Sequence, residues 1–321
     1  AMTEPMDIAK GIKKAIDEAN ESAKPVCVSF VGGVKSEKAM QWLVENGIPA
    51  YTAPDLAIHA LSALREFALM KEIVHEDEET IDKDAKNKAV QIIKGARDDK
   101  RDALTEIEAK QVFAAYGLPV TATTLAKTED EAVNMAKEVG YPIVMKIVSP
   151  EILHKSDAGG VKVNIKNEAE CREAFKTIVK NAKAYNPEAD LHGVAVQEMA
   201  PWGTEVILGS VNDSTFGPTI MFGLGGIFVE VLKDVTFRVA PVSKKSSLRM
   251  ISEIRGAPIL AGVRGEAPRD RLVLAETISR YSNMIVDLAE EISESDANPV
   301  LVYEEGKGLK VVDARIILKK K

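Results

Sequence analysis

Cysteine is scarce in this sequence, and its scarcity excludes several classes of protein. Only two of the 321 residues are cysteines, Cys27 and Cys171, and they lie far apart in the chain. Such a pair provides neither a disulfide framework nor the C-x-x-C spacing of a structural metal site. We therefore expect both thiols to be reduced structural side chains, as in a cytoplasmic protein.

Long apolar runs and an excess of positive charge are also lacking. No stretch approaches the length of a membrane span, and no signal peptide, transit peptide or internal repeat is recognisable. The net charge of −7 argues against nucleic acid or an anionic membrane as the main partner. With 45% hydrophobic and 28% charged residues, the chain has the composition of a soluble globular protein. Its length suffices for about two or three domains.

Residues 1–73 predict a doubly wound α/β domain that is incomplete. Helical and strand patterns alternate, with strands at 25–31 and 48–51 and helices up to about residue 20, at 36–46 and at 55–70. Two strands are too few to bury both faces of a sheet. We therefore expect either that another polypeptide supplies the missing strands or that this chain is the C-terminal part of a longer one. The absence of a leading Met fits either a fragment or a residue left by a purification tag.

Beyond this region the charge pattern changes and then helix signals recur. Residues 74–100 are dense in charge, and we predict a solvated linker there, with some helix around 87–95. Three capping boxes, at 105–108, 128–131 and 167–170, predict helix starts. Apolar strand patterns between and after these helices predict a small α+β lobe over about 119–199.

The stretch 141–164 combines a strand, a loop and a glycine turn. Residues 143–148 are apolar except for Lys146, which predicts a strand buried on both faces and an ammonium group that requires an anion. His154 lies in the next loop, and the turn at Gly159 and Gly160 would let backbone N–H groups approach a ligand. Taken alone, the lysine could snorkel at a strand edge and the histidine could be a solvated surface residue.

Acidic residues and glycines later in the chain add further candidates. Glu205 sits among apolar neighbours in a strand pattern and so requires a partner. Gly225 and Gly226 form either a tight turn or a place where backbone donors reach phosphate oxygens. Asn298 ends one strand and Asp313 lies near the middle of its hairpin partner, so both could be oxygen ligands of one Mg²⁺. An Asn-Pro turn and a surface aspartate would explain the same two residues.

Five sequence motifs occur together in one order. They are MKIVSPEILHKSDAGGV, VQEM, GTEVILG, FGLGGIFVEVLKDVTFRVAP, and ANPVLV followed by VVDARI. In these motifs residues 101–321 resemble the ATP-grasp part of the nucleoside-diphosphate-forming acyl-CoA synthetases. Residues 1–70 resemble the second half of the ligase domain that precedes it in fused members. The resemblance implies an α/β protein: the C-terminal half of a flavodoxin-like ligase-CoA domain (1–73), a linker (74–100) and a two-lobed ATP-grasp domain (101–321).

The resemblance also implies a reaction and a set of roles. A carboxylic acid, CoA and ATP would exchange with acyl-CoA, ADP and phosphate through an acyl phosphate and a phosphohistidine. His154 matches the family's histidine close to the nucleotide, and Lys155 and Arg238 would assist phosphoryl transfer. Carried over by position, Lys146 would contact the α/β-phosphates, and Gly159, Gly160, Gly225 and Gly226 would also lie at the phosphates. Gln197, Glu198 and Met199 would line the adenine pocket, and Glu205 would lie near the ribose. Asp234 and Arg238 would either contact the γ-phosphate or support residues that do. The Mg²⁺ ligands would be Asn298 and Asp313.

The family's CoA-binding domain and a ligase domain with another phosphorylated histidine lie ahead of the matched region. We therefore expect an N-terminal CoA-binding and ligase portion, as a separate chain or cleaved from the same precursor, to complete the sheet in an oligomer. ATP/ADP and Mg²⁺ would bind this chain, whereas CoA would be bound mainly by that other portion. This chain would not make acyl-CoA by itself.

Two other functions remain open from the sequence. An ATP-grasp carboxylate–amine ligase would need no histidine intermediate. A non-catalytic nucleotide-binding module occurs in the regulatory portions of acetyltransferases, but His154, Asn298 and Asp313 are all retained here, which disfavours it. Acetate, aryl acids and hydroxy acids are all candidate substrates, since the acyl pocket of this family lies mostly in the N-terminal portion.

Overall fold

The computed structural model describes residues 4–19, 24–73, 83–152, 155–226, 229, 231–263 and 265–320 of the chain. The chain divides into two compact units, one over 1–77 and one over 78–321. Across the described residues, no helix combines the length and the apolar composition that crossing a bilayer requires.

The first unit is a small α/β layer with two short parallel strands. Its elements are α1 (Pro5–Glu18), β1 (Val28–Ser29), α2 (Val34–Glu45), β2 (Ala50–Tyr51) and α3 (Pro54–Ile73). The alternation predicted for 1–73 is present, but β1 is shorter than the predicted strand at 25–31. Its buried apolar core is correspondingly small, with Ala9, Ala39, Leu43 and Ile48. Val31, Val34 and Ile58 are exposed.

The second unit opens with two helices, α4 (Lys83–Asp98) and α5 (Glu106–Ala115). Helix α4 buries Ala89, Ile93 and Ala96 in the main apolar core of the unit. The helix predicted around 87–95 is therefore confirmed and is longer than expected, but the prediction that this region is a solvated linker is wrong for α4. Residues 74–82 lie outside the described residues. The charged solvent face of α4 dominates its composition, so the narrow stripe of alanine and isoleucine on its other face was overlooked.

The three predicted helix starts are confirmed. Helices α5, α6 (Glu129–Val139) and α7 (Glu168–Tyr185) follow Thr105, Thr128 and Asn167, whose side chains each accept a backbone N–H three residues further on. At α5 the box is complete, because the Glu108 carboxylate also accepts the N–H of Thr105 at 2.7 Å. These caps satisfy N–H groups that have no partner within the helix, so the local sequence is enough to set the helix starts.

A four-stranded antiparallel sheet forms the smaller lobe of the second unit. Its strands are β3 (Thr123–Ala126), β4 (Ile143–Val148), β5 (Val161–Ile165) and β6 (Gly193–Glu198), in the order β3-β6-β4-β5. Apolar residues of α6 and α7 pack against it in one core. Every residue of β4 is buried, as predicted for 143–148, and Lys146 is thereby in the interior.

A six-stranded antiparallel sheet forms the larger lobe. Its strands are β7 (Thr204–Asp213), β8 (Gly217–Leu224), β9 (Val235–Val239), β10 (Ile292–Val302), β11 (Leu309–Val311) and β12 (Ala314–Leu318). The order is β11-β10-β7-β8-β9, and β12 also pairs with β10. Residues of α4, α5, α8 (Lys244–Glu253), α9 (Ala257–Ala261) and α10 (Arg271–Asp287) cover one face. The other face of the sheet carries polar candidates.

The segment between α5 and β3 ties the two sheets together. The N–H of Thr121 donates to the carbonyl of Val311 at 3.0 Å, and the N–H of Val311 donates to the carbonyl of Pro119 at 2.8 Å. Nζ of Lys310 on β11 lies 2.8 Å from the Glu198 carboxylate at the end of β6. These bonds bring the ends of β6 and β11 together.

The packing of α4 leads to a stability test. Replacing buried Ile93 with alanine should lower the free energy of unfolding by about 3 kcal/mol, because a cavity is left in the core. The matched change Val90→Ala on the exposed side of the same helix should cost less than about 1 kcal/mol. Urea unfolding followed by circular dichroism measures both. Similar losses in the two variants would show that α4 is not docked.

Candidate functional site

Three lysine ammonium groups converge on the carboxylate of Glu106, the first residue of α5. Nζ of Lys146 lies 2.7 Å and Nζ of Lys110 lies 3.0 Å from Oε1, and Nζ of Lys155 lies 3.0 Å from Oε2. Asp313 adds a second carboxylate, with Oδ2 3.3 Å from Nζ of Lys146. Two protein carboxylates thus supply the anion that the apolar setting of Lys146 requires. Sequence reasoning missed Glu106, which reads as an ordinary first-turn residue of a capped helix.

Burial and mutual charge set the pKa values in this cluster. Burial raises the pKa of Glu106, but the ammonium groups of Lys146, Lys110 and Lys155 outweigh it, and the pKa falls far below its ordinary value. Burial lowers the pKa of Lys110 to about 8, against the opposing effect of Glu106. Burial also lowers the pKa of Lys146, yet Glu106 and Asp313 raise it overall.

The carboxylate of Glu106 keeps these ammonium groups close to one another. Lys110 and Lys146 both bond to Oε1, so their nitrogens lie within about 6 Å of each other. At an effective dielectric constant of about 20, two such charges repel by roughly 3 kcal/mol. The cluster as a whole has three cationic and two acidic side chains, and its surplus of positive charge suits an anionic ligand.

The end of β6 is joined to the cluster through Lys110. Nζ of Lys110 also donates to the side-chain oxygen of buried Gln197 at 2.9 Å. The carboxylate of Glu198 accepts the N–H of Ala122 at 3.0 Å in addition to its bond from Lys310. The N–H of Met199 donates to the carbonyl of Pro142 at 3.3 Å. Of the segment predicted at the adenine, the Gln197 side chain and the Met199 N–H therefore already have partners within the protein.

The glycine turn after β4 holds Lys155 next to the strand. The N–H of Gly160 donates to the carbonyl of Lys155 at 2.8 Å, and the N–H of Gly159 donates to the carbonyl of Ser156 at 3.0 Å. A Cβ at Gly160 would lie 2.5 Å from Cγ2 of Ile147, and Gly159 has φ +60°, so both positions favour glycine. In this structure their N–H groups close the turn.

His154, the predicted phosphoryl acceptor, lies outside the described residues. So does Leu153, which precedes it. The described residue that follows, Lys155, reaches Glu106.

Glu205 and the second glycine turn are neighbours. The N–H of Gly225 donates to the carbonyl of Glu205 at 2.8 Å, and a Cβ at Gly225 would lie 2.9 Å from that of Glu205. Gly226 has φ +59°, which favours glycine there. The prediction that Glu205 is enclosed by apolar neighbours and requires a partner is wrong. Strand alternation buries Val206 and leaves Glu205 exposed.

Asn298 and Asp313 lie opposite each other where β10 is irregular. The N–H of Asn298 donates to the carbonyl of Asp313 at 3.2 Å. The expectation that Asp313 lies near the middle of a strand is wrong, because the predicted strand is split into β11 and β12 and Asp313 lies in the break. Pro299 has no N–H for the ladder, and the pairing of β10 shifts between Ala297 and Val300.

Asp296 lies near Asn298 and Asp313, and it was not identified from the sequence. It is two residues before Asn298 in β10. Burial raises the pKa of its carboxyl, the Arg315 guanidinium opposes this effect, and the charge of Asp313 adds to it. The signal in the sequence was the two-residue spacing, which puts strand side chains on one face.

The side-chain oxygens of Asn298, Asp313 and Asp296 are of the kind that binds Mg²⁺. An amide oxygen and carboxylates are hard oxygen ligands, and Mg²⁺ usually takes one or two carboxylates while keeping several waters. Within the described residues no three histidine, cysteine or acidic side chains form a fuller metal cage.

The other two predicted residues have partners elsewhere. The Asp234 carboxylate accepts the N–H groups of Arg255 and Gly256, each at 2.7 Å, at the start of α9. Arg238 bonds Glu253 of α8 at 2.5 Å. Arg238 pairs with Ile220, which faces the helix-covered core, whereas Asp296 lies in the alternate row with Gly209, Met221 and Phe237. The structure does not bring Arg238 together with the lysine cluster.

Comparisons with known proteins identify relatives of the chain. A family model described as an ATP-grasp domain matches residues 95–318. The chain is similar to the β subunit of acetate–CoA ligase [ADP-forming] I of Pyrococcus furiosus, with 54% identity over 231 residues, 72% of this chain and 98% of that protein. It is also similar to 4-hydroxybutyrate–CoA ligase [ADP-forming] of Nitrosopumilus maritimus, with 46% identity over 303 residues, 94% of this chain and 43% of that protein.

A solved structure with the same architecture is acetyl-coenzyme A synthetase 1 of Ca. Korarchaeum cryptofilum. In a complex with coenzyme A and Ca-AMPCP it has a TM-score of 0.70 and 48% identity, covering 72% of this chain and 100% of that chain. A further complex of that protein, with coenzyme A and Mg-AMPPCP, has a TM-score of 0.64 and 44% identity, and it too covers 72% of this chain and 100% of that chain. The chain thus spans nearly all of the Pyrococcus β subunit but less than half of the Nitrosopumilus ligase.

Acidification should test the charge of Glu106. The folded-state pKa of Glu106 is lowered from 4.5, so its ionised form stabilises the fold above that pH, and the stabilisation is lost as pH falls below it. Between about pH 4.5 and 3, the unaltered protein should lose up to about 1.4 kcal/mol more per pH unit than Glu106→Gln. Urea unfolding at each pH measures this. The control is Glu188→Gln on the surface, and equal slopes for Glu106→Gln and the unaltered protein would refute the assignment.

Proposed function

The chain belongs to the ADP-forming acid–CoA ligases of the ATP-grasp family, and from this premise we propose that it is the ATP-grasp portion of such an enzyme. The whole enzyme would convert a small carboxylic acid, CoA and ATP into acyl-CoA, ADP and phosphate. The observation that carries the proposal is the 3.3 Å contact between Lys146 of the small sheet and Asp313 of the large sheet. A magnesium triphosphate needs a phosphate-binding cation and a metal-binding carboxylate within reach of one polyphosphate chain.

Residues of the two sheets would bind different parts of the nucleotide. Lys146 and Lys155 would bind phosphate oxygens, while Asn298 and Asp313 would hold Mg²⁺, which supplies charge neutralisation when bound. The turn at Gly225 would lie at the phosphates, beside Glu205 at the ribose. The adenine would lie against the segment 197–199.

We propose that His154 accepts the γ-phosphoryl group. Its neutral imidazole would attack the γ-phosphorus as the bond to the β-phosphate oxygen breaks, and ADP would leave. The phosphoryl group would then pass to the substrate carboxylate, and CoA would displace phosphate from the acyl phosphate. Lys155, which follows His154 in the sequence and is held by Glu106, would neutralise the transferred oxygens.

The N-terminal unit is proposed to be completed by a CoA-binding and ligase portion in an oligomer. Support comes from the part of this unit that the structure describes, which has a two-stranded sheet, a core cluster of four buried residues, and exposed apolar side chains such as Val31 and Ile58. Further support comes from the Nitrosopumilus ligase. The match to it covers 303 residues, more than the 78–321 unit contains, so the matched region extends into 1–77. The two cysteines, which form no disulfide, and the need for ATP and CoA support a cytoplasmic location.

The proposal that this chain binds ATP while acyl-CoA formation also needs the N-terminal portion can be tested directly. The isolated 321-residue chain should bind Mg-ATP in calorimetry but form no acyl-CoA, because the CoA and acyl sites lie mainly in the other portion. Adding the N-terminal portion of a relative should produce acyl-CoA, detected as ATP-dependent loss of the CoA thiol. Acyl-CoA formation by the isolated chain would refute this proposal.

The phosphohistidine distinguishes a CoA ligase from a carboxylate–amine ligase. Incubation with γ-labelled ATP should give protein-bound label that is acid-labile and base-stable, as expected of a phosphoramidate. His154→Ala should remove the label, whereas His192→Ala, the matched change at another histidine, should retain it. Label that persists in His154→Ala, or no label on the unaltered chain, would contradict the mechanism.

A further inference from the structure

Glu106 lies deeper in the protein than Lys146 and Lys155, two of the three lysines that contact it. Its side chain is 4% exposed, Lys146 is 9% exposed, Lys155 is 23% exposed and Asp313 is 35% exposed. Lys110, the third lysine on this carboxylate, is 3% exposed and so is as deeply buried as Glu106. A ligand entering from solvent would therefore meet Lys155 and Lys146 before it met Glu106.

The two oxygens of Glu106 hold different lysines. Oε1 accepts from Lys146 on β4 and from Lys110 on its own helix, whereas Oε2 accepts from Lys155 in the turn after β4. Because the carboxylate is planar, these bonds fix the direction between the Lys146 and Lys155 ammonium groups. Each lysine has four rotatable side-chain bonds, and holding it in place beforehand removes freedom that a phosphate ligand would otherwise have to remove on binding.

We propose that Glu106 is a positioning residue of the nucleotide site, which holds the ammonium groups of Lys146 and Lys155 ready for the phosphates without touching the nucleotide. This inference rests on the proposed function, since it needs ATP as the ligand. Without the carboxylate, the ammonium groups repel one another, Lys110 loses this acidic partner, and Lys146 keeps only the more distant Asp313. The lysines then separate, and phosphate binding weakens.

Glu108 provides a matched control on the same helix. It is also a glutamate in the first turn of α5, and it is bonded to Arg101 and Thr105 instead of to the lysine cluster. Glu108→Gln therefore removes one carboxylate and weakens the helix start while leaving the cluster in place. A loss of helix stability alone would appear in both variants.

The test compares the affinities for Mg-ATP and for adenosine, measured by calorimetry on the 321-residue chain. Glu106→Gln should weaken Mg-ATP binding about tenfold or more and change adenosine binding less than about twofold, because adenosine has no phosphates. Glu108→Gln should change both by less than about twofold. In a Lys146→Met background, the effect of Glu106→Gln on Mg-ATP should fall to about threefold or less, since one of the two phosphate-binding lysines that Glu106 positions is already lost.

The outcomes separate this inference from the function on which it rests. If Glu106→Gln does not fold, Glu106→Asp retains the charge but withdraws the carboxylate, and it should give the same selective loss of Mg-ATP affinity. Unchanged Mg-ATP affinity, or an equal loss for adenosine, would overturn the positioning role alone. Failure of the unaltered chain to bind Mg-ATP would overturn the proposed function and this inference with it.

Discussion

The pairing of one buried carboxylate, Glu106, with three ammonium groups is the interaction on which the rest of the 78–321 unit depends. A carboxylate this deeply buried requires opposite charge around it, and lysines this close together require a carboxylate between them. The members come from α5, β4 and the turn after β4, and Asp313 extends the pairing to the large sheet. The two sheets are thereby joined at the place where we propose that phosphates bind.

The contact between Lys146 and Asp313 gives this site a simple way to accept a magnesium triphosphate. In the protein alone the two side chains neutralise each other across the sheets. Phosphate oxygens could replace Asp313 as the partner of Lys146, which would release the carboxylate for the cation. Glu106 would stay bonded to its lysines when the nucleotide binds, because it is more deeply buried than Lys146 and Asp313. An acid–CoA ligase of this family would thus use one carboxylate to organise cations and another to meet the metal.

Local patterns predicted the features that depend on neighbouring residues. The three helix N-caps and the buried strand around Lys146 follow from side chains within a few positions of one another. The errors arose where distant contacts prevail. The packing of α4 into the core was not predicted, because its charged face outweighs the apolar stripe that contacts the core. Asp313 was placed inside a strand because the disruption comes from Pro299 on the partner strand.

The sequence by itself determined that a lysine enters an apolar strand, that an anion must accompany it, and which family the motifs belong to. These conclusions follow from residue types at fixed local spacings. Only the tertiary structure decided which anions these are. Glu106 stands 40 positions before Lys146 and Asp313 stands 167 positions after it, and no periodicity links such distances. Charges pair through space, so their partners were decided when the helix and the two sheets packed together.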